Sequence, residues 1–201
     1  VLGVSQPAAA NGRFPRAQRL MQEPGEPAHL AIYGTYGLLL TSDAGQTWQH
    51  VCEAATGPFA GEAPLLELLP QGRVVLSSET GLRSGVWPAC QWRGLLEPRL
   101  PETVQDITLD RASANGLWAL LNQPDVSVGF RAAVARSKDG GETWSEARRL
   151  PTEVIGQGLT VDVAPSRPER VYVSGLDAAK SGVLGRSDDA GDTWQAFAIQ
   201  G

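Results

Sequence analysis

An all-β fold is what this 201-residue sequence predicts: a β-propeller built of four-stranded antiparallel blades, with four blades present. Three observations carry that expectation. The octapeptide Ser/Thr-x-Asp-x-Gly-x-Thr-Trp occurs three times, as "TSDAGQTW" (41–48), "SKDGGETW" (137–144) and "SDDAGDTW" (187–194). The copies are spaced like blades, because 50 positions separate Trp144 from Trp194 and 96, close to two such periods, separate Trp48 from Trp144. Each copy is preceded by short apolar runs broken by turn residues, which is the pattern of strands and not of helices.

The missing period directs attention to residues near 95, and a fourth unit is there. "GLRSGVWPACQW" (81–92) aligns without gaps on "GLLLTSDAGQTW" (37–48), keeping the Gly-Leu and the final Trp. Trp87, Ala89 and Gln91 replace the Asp, Gly and Thr of the other copies, so the second unit carries a degenerate turn. Upstream, the first strands read "AQRLM", "LLELL", "VQDITLD" and "LTVDVAP", the turns "EPGEP", "PQG", "RASAN" and "PSRPE", and the second strands "LAIYG", "VVLSS", "LWALL" and "VYVSG". "LTVDV" alternates strictly, which places Leu159, Val161 and Val163 on one face. A third strand ends in the octapeptide and a fourth is led by its Trp. The organisation expected is an N-terminal segment at 1–16 and a single propeller domain at 17–199, with blades at about 17–52, 64–96, 104–148 and 159–199.

Composition narrows the function classes. The net charge is −5 and no Lys/Arg run occurs, so a nucleic-acid partner is not expected. No apolar stretch approaches the length of a transmembrane helix, so no membrane insertion is expected. No cofactor and no metal are implied, because the carboxylates of "SDDAGDTW" lack the further acid that a calcium loop needs and "TSDAGQTW" has one acid in all. Cys52 and Cys90 have no metal-ligand spacing; one disulfide and two free thiols both remain open on composition alone.

The octapeptide makes physical sense as a turn between the third and fourth strands of a blade. Asp43, Asp139 and Asp189 are suited to accept hydrogen bonds from backbone N–H groups of the turn. Gly45, Gly141 and Gly191 suit positive φ, and Thr47, Thr143 and Thr193 can bond back across the loop. Trp48, Trp144 and Trp194 place a large ring at the start of the outer strand. These twelve residues are read as structural, with no catalytic role.

The three octapeptides resemble Asp-boxes, the BNR repeats of sialidases, sortilin-type receptors, xyloglucan-degrading glycosidases and photosystem assembly factors. The resemblance implies that the boxes lie on the face opposite the usual ligand site. Ligands would then meet the loops between second and third strands, where Tyr36, Glu79, Asp125, Arg131, Asp177 and Lys180 are the polar and aromatic candidates, with 122–132 the longest insertion. Sialidases draw their catalytic groups from six blades, and four are present here. The expectation is therefore a non-catalytic binding or scaffold module for a glycan or protein ligand. The alternative is part of a carbohydrate-active glycoside hydrolase whose catalytic residues lie partly outside this chain.

The segment "WQHVCEAATG", followed by a box containing Cys90, is similar to secreted bacterial Asp-box proteins of unassigned activity. That resemblance implies a Cys52–Cys90 disulfide tying the first two blades, where the degenerate box lacks its Asp, and a secreted or cell-envelope location. Asp-box propellers normally have six or more blades. A partial propeller is the first expectation for this sequence and a homodimer through open blade edges the second, with a small four-bladed ring as the remaining possibility.

Overall fold

The computed structural model describes residues 16–51, 53–56, 65–78, 81–87, 92–95 and 103–199. Among these residues sixteen strands form four antiparallel sheets, each of four strands in sequence order. The first blade holds β1 (Ala17–Glu23), β2 (Glu26–Gly34), β3 (Gly37–Thr41) and β4 (Gln49–Val51); one helical turn, α1 (Glu53–Thr56), follows it. The second holds β5 (Leu66–Leu69), β6 (Arg73–Ser78), β7 (Gly81–Val86) and β8 (Trp92–Gly94). The third holds β9 (Thr103–Leu109), β10 (Leu117–Asp125), β11 (Gly129–Ser137) and β12 (Arg148–Arg149), and the fourth β13 (Gln157–Val163), β14 (Val171–Leu176), β15 (Gly182–Ser187) and β16 (Gln195–Ala198). Four up-and-down blades of a β-propeller result, as the repeat predicts. The helical turn α1 was not expected; it falls between the first two blades. Among the described residues no helix is long and apolar enough to cross a membrane.

The core consists of three layers, each sandwiched between neighbouring blades. Ala31, Tyr33, Leu38 and Leu40 of the first blade meet Leu66, Leu68, Val74 and Leu76 of the second. Leu69, Val75 and Leu82 on the other side of the second meet Ile107, Leu117, Ala119 and Ala133 of the third. Trp118, Leu120 and Val134 of the third meet Val161, Val163, Val171 and Val173 of the fourth. A blade between two neighbours must be apolar on both faces, which is why Val74, Val75 and Leu76 of β6 form a continuous apolar run instead of alternating.

The alternation expected across "LTVDV" is broken in one place. The β13–β14 register shifts between Gly158 and Thr160, so Leu159 is the unpaired residue of a bulge and is 43% exposed, while Val161 and Val163 are buried. The same irregularity occurs in β1 between Ala17 and Arg19 and between β9 and β10 at Leu120/Leu121. A bulge sharpens twist locally, and the inner strands β1, β9 and β13 each carry such a shift while β5 pairs in regular register.

Two polar side chains pin the third blade to the fourth through this bulged region. Buried Asn122 donates from Nδ2 to the Gly158 carbonyl and accepts the Gly158 N–H at Oδ1, both at 2.9 Å. Asp106 accepts the Val161 N–H at 2.9 Å. The approach demands glycine at 158: a Cβ there would meet Leu120 Cδ1 at 2.8 Å.

Candidate functional site

The three boxes share one geometry. In the first, the Asp43 carboxylate accepts the Thr47 N–H at 2.8 Å, the Thr47 hydroxyl at 2.6 Å and the Thr41 hydroxyl at 2.6 Å. Thr41 Oγ1 in turn accepts the Gly45 N–H at 3.0 Å, and Trp48 Nε1 donates to the Gly45 carbonyl at 3.0 Å. Asp139 with Ser137, Thr143 and Trp144 repeats every one of these bonds, as does Asp189 with Ser187, Thr193 and Trp194. Two consecutive residues of each turn have positive φ, Ala44 and Gly45 in the first and Ala190 and Gly191 in the last. Hydrogen bonds from the Thr41 and Thr47 hydroxyls hold the Asp43 carboxyl down at about 2, and Thr193 does the same for Asp189. At Asp139 burial pushes upward, and the bonds from Thr143 and Ser137 outweigh it, leaving a lowered value. These acceptors are saturated by their own turn. Replacing Asp139 by Ala strands the Thr143 N–H and both hydroxyls, and is expected to lower unfolding free energy by roughly 1–3 kcal/mol in denaturant titration.

The boxes also touch the blade before their own. Arg73 of β6 donates to the Asp139 carbonyl at 3.4 Å and pairs with Glu142 at 3.1 Å, where Arg93 of β8 joins it. A Cβ on Gly141 would strike Leu95 Cδ1 at 2.8 Å, and one on Gly191 would meet the Trp118 ring at 3.3 Å. Arg148 of β12 pairs with Asp192. Each of these boxes is thus seated on its predecessor. The degenerate turn of the second blade uses other chemistry: Trp87 stacks on His29 of the first blade at 5.7 Å with planes 5° apart. His29 Nδ1 lies 2.7 Å from Glu23 Oε2, and Glu23 Oε1 accepts the Gly72 N–H at 3.0 Å. The missing aspartate is replaced by a stack and a buried carboxylate. Cys52 and Cys90 lie outside the described residues.

The inner strands β1, β5, β9 and β13 enclose a cavity of about 690 Å³. Among the side chains lining it are Arg19, Glu67, Asp106, Thr108, Arg111 and Asp162. All four blades contribute, and the mouth includes Pro24, Gly25 and Arg111 from first-to-second-strand turns, the end at which the boxes also lie. Arg19 bridges Glu67 at 3.5 Å and Asp106 at 3.8 Å, joining three blades. Thr108 donates to Asp162 at 3.4 Å. Glu67 is 3% exposed, and burial drives its carboxyl up to about 8 against the opposing pull of Arg19, with Asp106 adding to the rise. The Arg19 contact is long for a charge-assisted bond, which explains why desolvation wins and Glu67 is mostly neutral at pH 7. Asp106 is also raised by burial, partly offset by the Val161 N–H.

The ligand-face candidates fall elsewhere. Asp125 and Arg131 pair with each other at the β10–β11 hairpin, where Asp125 also accepts the Ser127 N–H at 2.9 Å; the Ser127 hydroxyl and N–H bonds, then Arg131, hold its carboxyl far below the usual range. Asp177 accepts the Ala179 and Ser181 N–H groups at 2.8 and 2.9 Å, and Lys180 occupies the positive-φ position of that turn. Tyr36 is 36% exposed, and its carbonyl is 2.7 Å from His50 Nε2. Glu79 lies outside the described residues. None of the five described candidates lines the cavity. The residues that do were not singled out from sequence, although a signal existed: Glu67 interrupts "LLELL", Asp106 "VQDITL" and Asp162 "LTVDV".

The repeated turn and the blade architecture define the class, a β-propeller built on Asp-boxes. The BNR/Asp-box repeat model matches residues 135–146, the third-blade box. Photosystem II assembly protein Ycf48 of Thermosynechococcus vestitus is 25% identical over 186 residues, covering 91% of this chain and 48% of that protein. The chain therefore spans about half the length of this curated relative. Among solved structures, an ancestral GH74 enzyme superposes with a TM-score of 0.64 at 16% identity, covering 94% of this chain and 25% of the enzyme. The BP39L lectin from Burkholderia pseudomallei follows with a TM-score of 0.56 at 15% identity, over 88% of this chain and 53% of the lectin. These two likenesses concern the fold.

Proposed function

We propose that the chain is a non-catalytic binding module that receives a polypeptide segment in the cavity between its inner strands. The observation that carries this reading is the cavity's lining, in which Arg19 and Arg111 stand among Glu67, Asp106 and Asp162 with Thr108 and Thr160 between them. A mixed-charge, hydroxyl-bearing wall of about 690 Å³ suits a polar chain carrying both signs, and its size is that of ordinary ligand sites. The relative that is an assembly protein supports a polypeptide ligand. Arg111 is the side chain to test, because it is exposed and lines the mouth. Titrating an immobilised peptide library is expected to yield ligands that Arg111→Ala weakens about tenfold, with the unfolding midpoint unchanged. Equal binding by the variant would remove the cavity from the reading.

A glycan ligand is the second reading, supported by the lectin's shared fold. The hydrolase alternative rests on Glu67, since a carboxyl kept protonated near ionised neighbours is what a glycosidic general acid requires. Release of reducing sugar from a β-glucan, abolished by Glu67→Gln, would establish that alternative over the binding module.

The secreted or envelope location and the Cys52–Cys90 bridge belong to the same proposal. Protein purified without reductant is expected to take up no alkylating agent until it is reduced, and then two equivalents; two reactive thiols beforehand would exclude the bridge.

A further inference from the structure

We propose, resting on the polypeptide ligand read above, that the interior of the cavity is a subsite for one basic side chain of that ligand, lysine or arginine, drawn in by Glu67, Asp106 and Asp162. Three inner strands supply these acids: Glu67 stands on β5, Asp106 on β9 and Asp162 on β13, and all three line the wall. The cations beside them are fewer. Arg19 of β1 is shared between Glu67 at 3.5 Å and Asp106 at 3.8 Å, and Arg111 is exposed at the mouth. Asp162 accepts the Thr108 hydroxyl at 3.4 Å and the Val163 N–H at 2.7 Å, and among the described residues no cation pairs with it. Glu23, a further acid of the wall, is already taken by His29 and the Gly72 N–H. Arg19 and Arg111 against Glu67, Asp106 and Asp162 leave the wall one positive charge short.

Glu67 is the most deeply set of the three. It is 3% exposed although it lines the cavity, and among the described residues no donor makes a hydrogen bond to its carboxyl; Arg19 stands near the outer limit of an ion pair. The charged groups that face it are Arg19 of β1, Asp106 of β9, Arg111 of the turn after β9 and Asp162 of β13. The paired strand β6 adds none, because Val75 lies opposite Glu67 in the register and Arg73 is turned to Glu142. A buried carboxyl without a donor is satisfied either by a cation or by a proton. At neutral pH the proton serves, since burial drives this group up to about 8. A basic side chain beside Glu67 supplies the same positive charge. The Glu67 proton then passes to solvent, the carboxyl becomes carboxylate, and the ligand's own ammonium or guanidinium keeps its protons.

This exchange gives binding a sign. The complex holds one proton fewer than its separate parts, so affinity for a basic segment rises with pH. Lysine and arginine stay charged throughout, which leaves Glu67 as the group that titrates. A cation at close range lowers a carboxyl's titration by roughly 1–3 pH units, so a group that starts at about 8 gives a gain of about five- to fiftyfold between about pH 6 and about pH 8. An acidic side chain in the same place would meet a newly ionised Glu67 over that range, and its affinity would fall.

The test uses a library of acetylated, amidated peptides, so that no chain end titrates. Peptides whose binding to the wild-type chain is weakened by Arg111→Ala are taken as cavity ligands, and their affinities are measured from about pH 6 to about pH 8. These ligands are expected to contain lysine or arginine and to bind more tightly as pH rises. Replacing the lysine by norleucine, which removes the charge and keeps the carbon chain, should weaken binding about tenfold at the alkaline end and flatten the profile. Because that comparison uses the unaltered protein, it does not depend on any variant folding. Glu67→Gln should flatten the profile for the lysine peptide as well. Arg111-dependent ligands without a basic residue, or with affinity that is level or falling with pH, would overturn the basic subsite and leave the polypeptide reading standing. A library that yields no Arg111-dependent ligand would overturn both.

Discussion

Glu67→Gln should abolish most of the loss of stability that the wild-type chain suffers between about pH 5 and pH 9. The folded carboxyl titrates at about 8 and its unfolded counterpart at 4.5. Above 4.5 the unfolded chain sheds this proton first, so the stabilisation is complete below 4.5 and disappears as pH climbs through 8. With Glu67 3% exposed, the change is on the order of 3 kcal/mol across that window. Asp106, also raised, adds in the same direction. Asp43, Asp139 and Asp189 work oppositely: their values are lowered, so their stabilisation is present above about pH 4 and fails on further acidification. The wild-type optimum is expected on the acid side of neutrality. Urea titrations of both proteins at intervals of pH would show it, and parallel profiles would place the proton elsewhere.

Asn122→Leu is expected to cost roughly 2–5 kcal/mol, since it leaves the Gly158 N–H and carbonyl buried without partners. Leucine keeps the branching of asparagine at Cγ and is larger, so no cavity is left and the loss combines the missing hydrogen bonds with some overpacking. It would lower the thermal midpoint by roughly 5–15 °C for a chain of this size. A change within about 0.5 kcal/mol would mean that water or a shift of β13 rescues Gly158.

The propeller was legible because the box is a local device. Ser137, Asp139, Gly141, Thr143 and Trp144 satisfy one another within eight residues, so the octapeptide announces its own geometry wherever it occurs. The cavity was not, because its residues become neighbours only when blades close around the axis. Arg19 and Asp106 are 87 positions apart in the chain and 3.8 Å apart in space. Loops with exposed acids drew attention instead, and Asp125 and Asp177 are largely occupied by their own turns. The junction at the degenerate box was also hidden: nothing local to "GVWPACQW" says that Trp87 will find His29.

The seating of the third- and fourth-blade boxes on the blade before them gives the repeat a direction. The third blade's Trp118 is roofed only when "SDDAGDTW" has been made, and the second blade's Leu95 only when "SKDGGETW" has. A blade emerging from the ribosome is thus unfinished until its successor's turn arrives some 50 residues later. Translation would close the molecule as a row of latches, each thrown by the next segment synthesised, and a pause after any blade would leave that blade's aromatic or aliphatic seat open to chaperones.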